Sequence, residues 1–141
     1  MFEGFVLHGL DQLMDVLHGI LSGVSLPRGS YIVLFGSVAE GRDNLLSDID
    51  LAVKGLSVDE ASRIAELIES CTGRRVDIVL VEKAMLPLLY EALVRGVFIA
   101  GDREAYVEDK WKTLMLWLDF EEIYRSTHNS YLKQVLSINN T

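Results

Sequence analysis

Three short runs rich in β-branched and aromatic residues, at 31–35, 48–54 and 75–81, constrain this chain more than any other feature. Apolar runs of about four to eight residues bounded by glycine or polar turns read as strands, and here Gly36 and Gly55 stop the first two. Between the second and third runs, Asp59 to Ser70 places Ile64, Ala65, Leu67 and Ile68 on or near one helical face, with Ser57 as a cap and Gly73 ending the connection. A further helix is predicted over 83–95, leading through Gly96 to a short strand at 97–100. Ahead of the first strand, Phe2 to Leu21 has apolar residues at 6, 10, 13, 14, 17, 20 and 21, the spacing of an amphipathic helix. Residues 22–30, with Gly23, Pro27 and Gly29, read as a loop, and the chain from Arg103 reads as helix to Leu136 with a break near Ser126 to Ser130. The interleaving predicts an α/β (α+β) architecture, a small mixed sheet flanked by helices, with a core at about 28–100 and a C-terminal helical segment at about 103–137. At 141 residues the chain is one domain able to bury one continuous core.

Chemistry concentrates where the first strand ends and the second begins. Tyr31–Phe35 stops at Gly36, a residue that lets backbone N–H groups approach an anion closely, and Ser37 adds a hydroxyl and can begin a short helix. In Asp48-Ile49-Asp50-Leu51 the side chains alternate, so Asp48 and Asp50 share one face of the strand. Adjacent carboxylates repel unless a cation lies between them. Mg²⁺ suits the pair, because it takes oxygen ligands from one or two carboxylates and completes its shell with substrate phosphates. Asp77, the only acid inside 75–81, is the candidate third carboxylate. Each part has a plainer reading: Gly-Ser is common in ordinary turns, Asp-x-Asp often lies on a solvated strand face, and Asp77 alone reads as an edge-strand charge. The conjunction of all three favours a metal and nucleotide site.

Composition narrows the partner. With 13 basic and 21 acidic residues the net charge is −8, which disfavours attraction to nucleic-acid phosphates, and Arg74-Arg75 is too short to form a basic stripe. Cys71 is the only cysteine, so an intrachain disulfide and a multi-thiolate zinc site are excluded; it is expected to pack near a helix end. His8, His18 and His128 have no metal-like spacing. The N-terminal segment lacks the basic start of a signal peptide, Asp11 and Asp15 interrupt its apolar stretch, and no run reaches membrane-spanning length, so a cytoplasmic location is expected. In the C-terminal segment Val107, Trp111, Leu114 and Leu118 form one stripe and Trp117, Phe120 and Tyr124 another. That is more apolar surface than one packing face requires, which fits either a large aromatic core element or a partner contact.

At these residues the chain resembles the nucleotidyltransferase superfamily related to DNA polymerase beta, and within it the minimal nucleotidyltransferase branch. The family pattern is Gly-Ser, ten residues, then Asp-x-Asp, with a later strand Asp, and Val38 through Ser47 supply those ten residues here. Val76-Asp77-Ile78-Val79, the segment Leu93 to Ile99 and Leu118-Asp119-Phe120 extend the resemblance over roughly residues 28 to 125. It implies the polymerase beta-like fold and Mg²⁺-dependent transfer of a nucleoside monophosphate with loss of pyrophosphate. Asp48, Asp50 and Asp77 would hold two Mg²⁺ ions about 3.5–4 Å apart, with Asp77 completing one ion or acting as the base. Gly36 and Ser37 would hold the outer phosphates of ATP. Positions 38 and 40, often basic in relatives, are Val38 and Glu40 here, which makes Arg42 the candidate substitute.

Members of this branch are commonly paired with a HEPN-domain ribonuclease toxin and transfer AMP from ATP to a toxin tyrosine. The resemblance therefore implies an antitoxin with a HEPN protein partner, and the absence of a second domain to enclose a small substrate agrees with a protein acceptor. Two other readings stand beside it. One is transfer to an aminoglycoside-like small molecule, which would need a second domain or a homodimer to wall the pocket; the other is a noncatalytic antitoxin acting by occlusion.

Overall fold

A computed structural model describes residues 9–41 and 47–139. Its elements in chain order are α1 (Gly9–Leu21), β1 (Tyr31–Phe35), β2 (Ile49–Lys54), α2 (Val58–Thr72), β3 (Val76–Leu80), a 3₁₀ turn (Val81–Lys83), α3 (Leu86–Leu89) running into a π turn (Tyr90–Val94), β4 (Val97–Gly101) and α4 (Arg103–Asn139). The strands form one mixed sheet in the order β3-β2-β1-β4. β1 is antiparallel to both β2 and β4, whereas β2 and β3 run parallel and are joined through α2.

The central position of β1 explains its sequence. All five of its residues are buried because both of its faces are covered, so it reads as a continuous apolar run and not as an alternation. Ile32 and Leu34 join Ile49, Leu51 and Val53 under α1 and α2, while Tyr31, Val33, Phe35 and Ala52 pack with Ala92, Leu93 and Tyr106 on the other face. α1 contributes Leu13, Leu17 and Leu21, the expected stripe of its amphipathic pattern, and the part of that pattern before Gly9 lies outside the described residues. α2 is capped at both ends. Ser57 Oγ accepts from Glu60 N at 3.1 Å while Glu60 Oε1 accepts from Ser57 N at 3.0 Å, a reciprocal capping box, and Gly73 closes the helix. Its buried face is Ala61, Ile64, Ala65 and Ile68; Leu67 is exposed, because its position falls at the margin of that stripe.

Three expectations need correction. The helix over 83–95 is a 3₁₀ turn, a short α3 and a π turn, since Met85 is extended ahead of Pro87, whose ring favours only the first turn of a helix. α4 runs unbroken through Ser126 to Ser130, a polar segment without glycine or proline to interrupt it. Cys71 lies near the C-terminal end of α2 but is exposed, so it does not pack.

α4 meets the sheet by residues outside both of its apolar stripes. Tyr106 and Thr113 are buried, whereas Val107, Trp111 and Leu118 face solvent. Polar anchors decide the orientation: Tyr106 Oη donates to Leu93 O at 2.8 Å, and Asp109 accepts from Tyr31 Oη at 2.7 Å and pairs with Lys54. Burial, reinforced by the hydrogen bond to Asp109, pushes the Tyr31 phenol far above its ordinary range. Beyond this anchored part, Phe120, Ile123, Tyr124, Tyr131, Leu132 and Leu136 are all exposed, because the helix continues past the sheet.

Candidate functional site

The site is built where three adjacent strands end or begin together. In the β1/β2 register Phe35 lies opposite Asp50, and in the β2/β3 register Asp50 lies opposite Asp77, so the turn after β1 and two carboxylates form a row across the sheet. Alternation puts Asp50 on the face that carries Ala52, the side packed by the π turn and α4. Asp48 immediately precedes β2. Sequence proximity accounts for Asp48 and Asp50; the parallel pairing of β3 adds Asp77.

Gly36 cannot be replaced without disturbing this row. It sits at φ 80°, and a Cβ there would come within 2.4 Å of Asp50 Oδ2. The turn backbone therefore lies directly against the carboxylate. Glu40 N donates to Gly36 O at 3.2 Å, closing a single helical turn that begins beside Ser37. Val38 points into the α1/α2 core and is fully buried, which explains an apolar residue there.

Electrostatics single out Asp50. Burial first, then the charges of Asp77 and Asp48, hold its carboxyl above the usual carboxylate range. Burial and the charges of Asp77 and Asp48 all oppose the ionisation of Asp50, and a cation beside it would remove that opposition. Among the described residues no three acidic, histidine or cysteine side chains are gathered into a ready cage. The donor set is all oxygen and sits beside a phosphate-sized turn, which fits an ion such as Mg²⁺ that draws much of its shell from water and substrate phosphate. Asp77 itself is half-exposed on the edge strand, with Arg75 Nε 3.5 Å from its Oδ1.

Two arginines that sequence reasoning left without a role in the site belong to its frame. Arg74 Nε and Nη2 donate to Ser47 O at 3.2 and 2.9 Å, and Ile49 N donates to Arg75 O at 2.8 Å, so the chain on either side of Asp48 is tied to the start of β3. Arg95, entering β4, places Nη2 2.8 Å from Glu40 Oε1 on the Gly36 turn. The segment 74–75 was legible as basic, but no spacing rule joins residue 74 to 47 or 95 to 40. Arg42 lies outside the described residues.

Other features lie away from this row. A cleft of about 400 Å³ lined by Lys54, Leu89, Asp109 and Thr113 sits at the opposite end of β2 from Asp50. His18 and His128 are exposed, the latter stacked on Tyr124. No helix among the described residues is long and apolar enough to cross a membrane.

Comparison with known proteins agrees with this geometry. The family model described as Polymerase beta, Nucleotidyltransferase matches residues 28–105, which span every strand and the whole row. A comparison with the curated proteins found no match. Among solved structures, a chain of a toxin-antitoxin crystal structure with AMP-PNP aligns with a TM-score of 0.63 at 21% identity, covering 84% of this chain and 98% of that one. A chain of the toxin-antitoxin MntA-HepT crystal structure gives 0.57 at 20% identity, covering 86% and 98%. A chain of the tri-AMPylated Shewanella oneidensis HEPN toxin in complex with MNT antitoxin gives 0.60 at 18%, covering 84% and 98%. At these identities the likeness is one of fold.

Proposed function

We propose, from the premise that the chain belongs to the polymerase beta nucleotidyltransferase family, that it transfers AMP from ATP to a tyrosine hydroxyl of a HEPN-type toxin and thereby acts as an antitoxin. The observation that carries the catalytic part is the Gly36–Asp50–Asp77 row: a phosphate-sized turn in backbone contact with one carboxylate and in register with a second.

In this reading Gly36 and Ser37 hold the outer phosphates of ATP through backbone N–H groups and the Ser37 hydroxyl. Asp48, Asp50 and Asp77 would hold Mg²⁺, which when bound neutralises charge on the attacking and leaving oxygens. The acceptor oxygen forms a bond to the α-phosphorus as the bond to the bridging oxygen of the β-phosphate breaks. Pyrophosphate leaves, and the hydroxyl proton passes to a carboxylate of the row, for which half-exposed Asp77 is the accessible base. Arg74 keeps Asp48 in place through Ser47 O.

A protein acceptor is supported by α4, whose second half presents Phe120, Tyr124 and Tyr131 to solvent. The similar folds belong to chains of toxin-antitoxin complexes, one holding AMP-PNP and one an AMPylated HEPN toxin. The test is to incubate the purified chain with ATP, Mg²⁺ and a co-expressed HEPN-domain protein. Toxin carrying the mass of AMP on tyrosine is the expected outcome, and the Asp48→Ala, Asp50→Ala chain should leave it unmodified. Full neutralisation by that variant would favour occlusion, and modification of an aminoglycoside-like compound in place of the toxin would favour a small-molecule acceptor.

A further inference from the structure

The Gly36 turn has a charge problem that the rest of the fold resolves. Gly36-Ser37-Val38-Ala39-Glu40-Gly41 contains no basic residue, and its one ionisable group is an acid. Glu40 stands one hydrogen-bonded turn from Gly36, its N–H donating to Gly36 O at 3.2 Å. A polyanionic triphosphate seated on the Gly36 and Ser37 amides would meet the Glu40 carboxylate. Opposite that carboxylate stands Arg95.

β4 delivers this arginine by a tightly defined route. Leu34 is in register with Val97, so Arg95 and Gly96 arrive at the same end of the sheet as Phe35 and Gly36. A Cβ on Gly96 would lie 2.1 Å from Ala92 O and 2.8 Å from Leu34 O, so the backbone beside Arg95 is pressed against β1. Arg95 Nη2 is 2.8 Å from Glu40 Oε1, its Nη1 is 3.5 Å from Glu91 Oε1, and its side chain is 51% exposed. The row across the sheet end thus reads Asp77, Asp50, the Gly36 turn, then a guanidinium.

We propose that Arg95, held in place by Glu40, is a phosphate-binding residue for the nucleoside triphosphate. This rests on the nucleotidyltransferase reading of the row. A guanidinium has five N–H donors in a planar fork, so it can keep one edge on Glu40 and turn the other toward a phosphate, which a lysine ammonium cannot reproduce. Its contact with Glu91 is long, exposed and of the i,i+4 kind that contributes little, so exchanging it for phosphate costs little. Arg95 thus supplies the turn with a cation from the approach to β4.

The test measures MgATP binding to the purified chain without an acceptor, alongside thermal unfolding. Arg95→Gln should weaken binding about 10- to 100-fold, the range of a charge-assisted hydrogen bond, and Arg95→Lys, which keeps charge and fold but not the fork, about 3-fold or more. The combined Glu40→Gln, Arg95→Gln chain, relieved of the Glu40 charge, should recover only part of this loss and stay weaker than the wild type. Wild-type affinity in Arg95→Gln, or its recovery in the combined variant, would overturn the proposal, the latter by showing that Arg95 only neutralises Glu40. A wild-type chain that binds no MgATP would remove the nucleotidyltransferase reading and this inference with it, whereas binding indifferent to residue 95 would remove this inference alone.

Discussion

Strand β2 carries a carboxylate environment at each end, and the two ends are built on opposite principles. At the Lys54 end, Asp109 is 16% exposed and compensated by the Lys54 ammonium and the Tyr31 hydroxyl. At the other end Asp50 faces Asp77 and Asp48, and its carboxyl is raised by burial and by their charge. A compensated carboxylate stabilises the fold because its hydrogen bonds replace lost water. An uncompensated one costs stability, and such costs cluster where a ligand arrives from outside. The contrast sets a compensated acid apart from the one proposed to hold a ligand, without reference to position in the chain.

The contrast can be broken by exchanging which end is damaged. The largest expected effect is on activity: Asp50→Ala should lower AMP transfer by about 10³-fold or more, as expected for loss of a group that stabilises charge in the transition state. Its thermal unfolding should be undiminished. Asp109→Ala should do the reverse, costing about 3 kcal/mol in denaturant unfolding by leaving Lys54 and Tyr31 without their partner. A chain with Asp109→Ala that retains full stability would erase the distinction. Ser57→Ala, remote from both ends, should cost about 1 kcal/mol through the lost cap.

The smallest effect sharpens the comparison. Because the Asp50 carboxyl is raised in the folded chain, its contribution to stability is present below the unfolded value of about 3.9 and is lost as pH rises through the higher folded value. Asp50→Asn should therefore raise the melting temperature of the metal-free chain at pH 7 by about 1–3 °C, a figure discounted for solvent screening, with no gain near pH 3. Scanning calorimetry at both pH values checks it, and a gain equal at both would assign the effect to packing.

Much of this was legible beforehand because local chemistry carried it. β1, β2 and β3 followed from apolar β-rich runs, α2 from the Ser57 and Gly73 caps, and the Gly36, Asp48 and Asp50 set from residues close in sequence. What escaped depended on distance along the chain. The π turn over Tyr90–Val94 looked like ordinary helix because its apolar residues serve either geometry. Which face of α4 is buried was left open, because Tyr106 and Asp109 are anchored by Leu93 O and by Tyr31 with Lys54, partners that periodicity cannot name.

By itself the sequence determined the strand content and the presence of a turn beside paired acids, both consequences of side-chain period and local backbone preference. Only the tertiary structure decided that Asp77 registers with Asp50, that Arg74 holds Ser47, and that Arg95 answers Glu40. The physical reason is that hydrogen-bonded strand register and charge pairing act between groups tens of residues apart. Their partners become determined only when the packing of both sheet faces leaves one alignment in which every apolar run is buried.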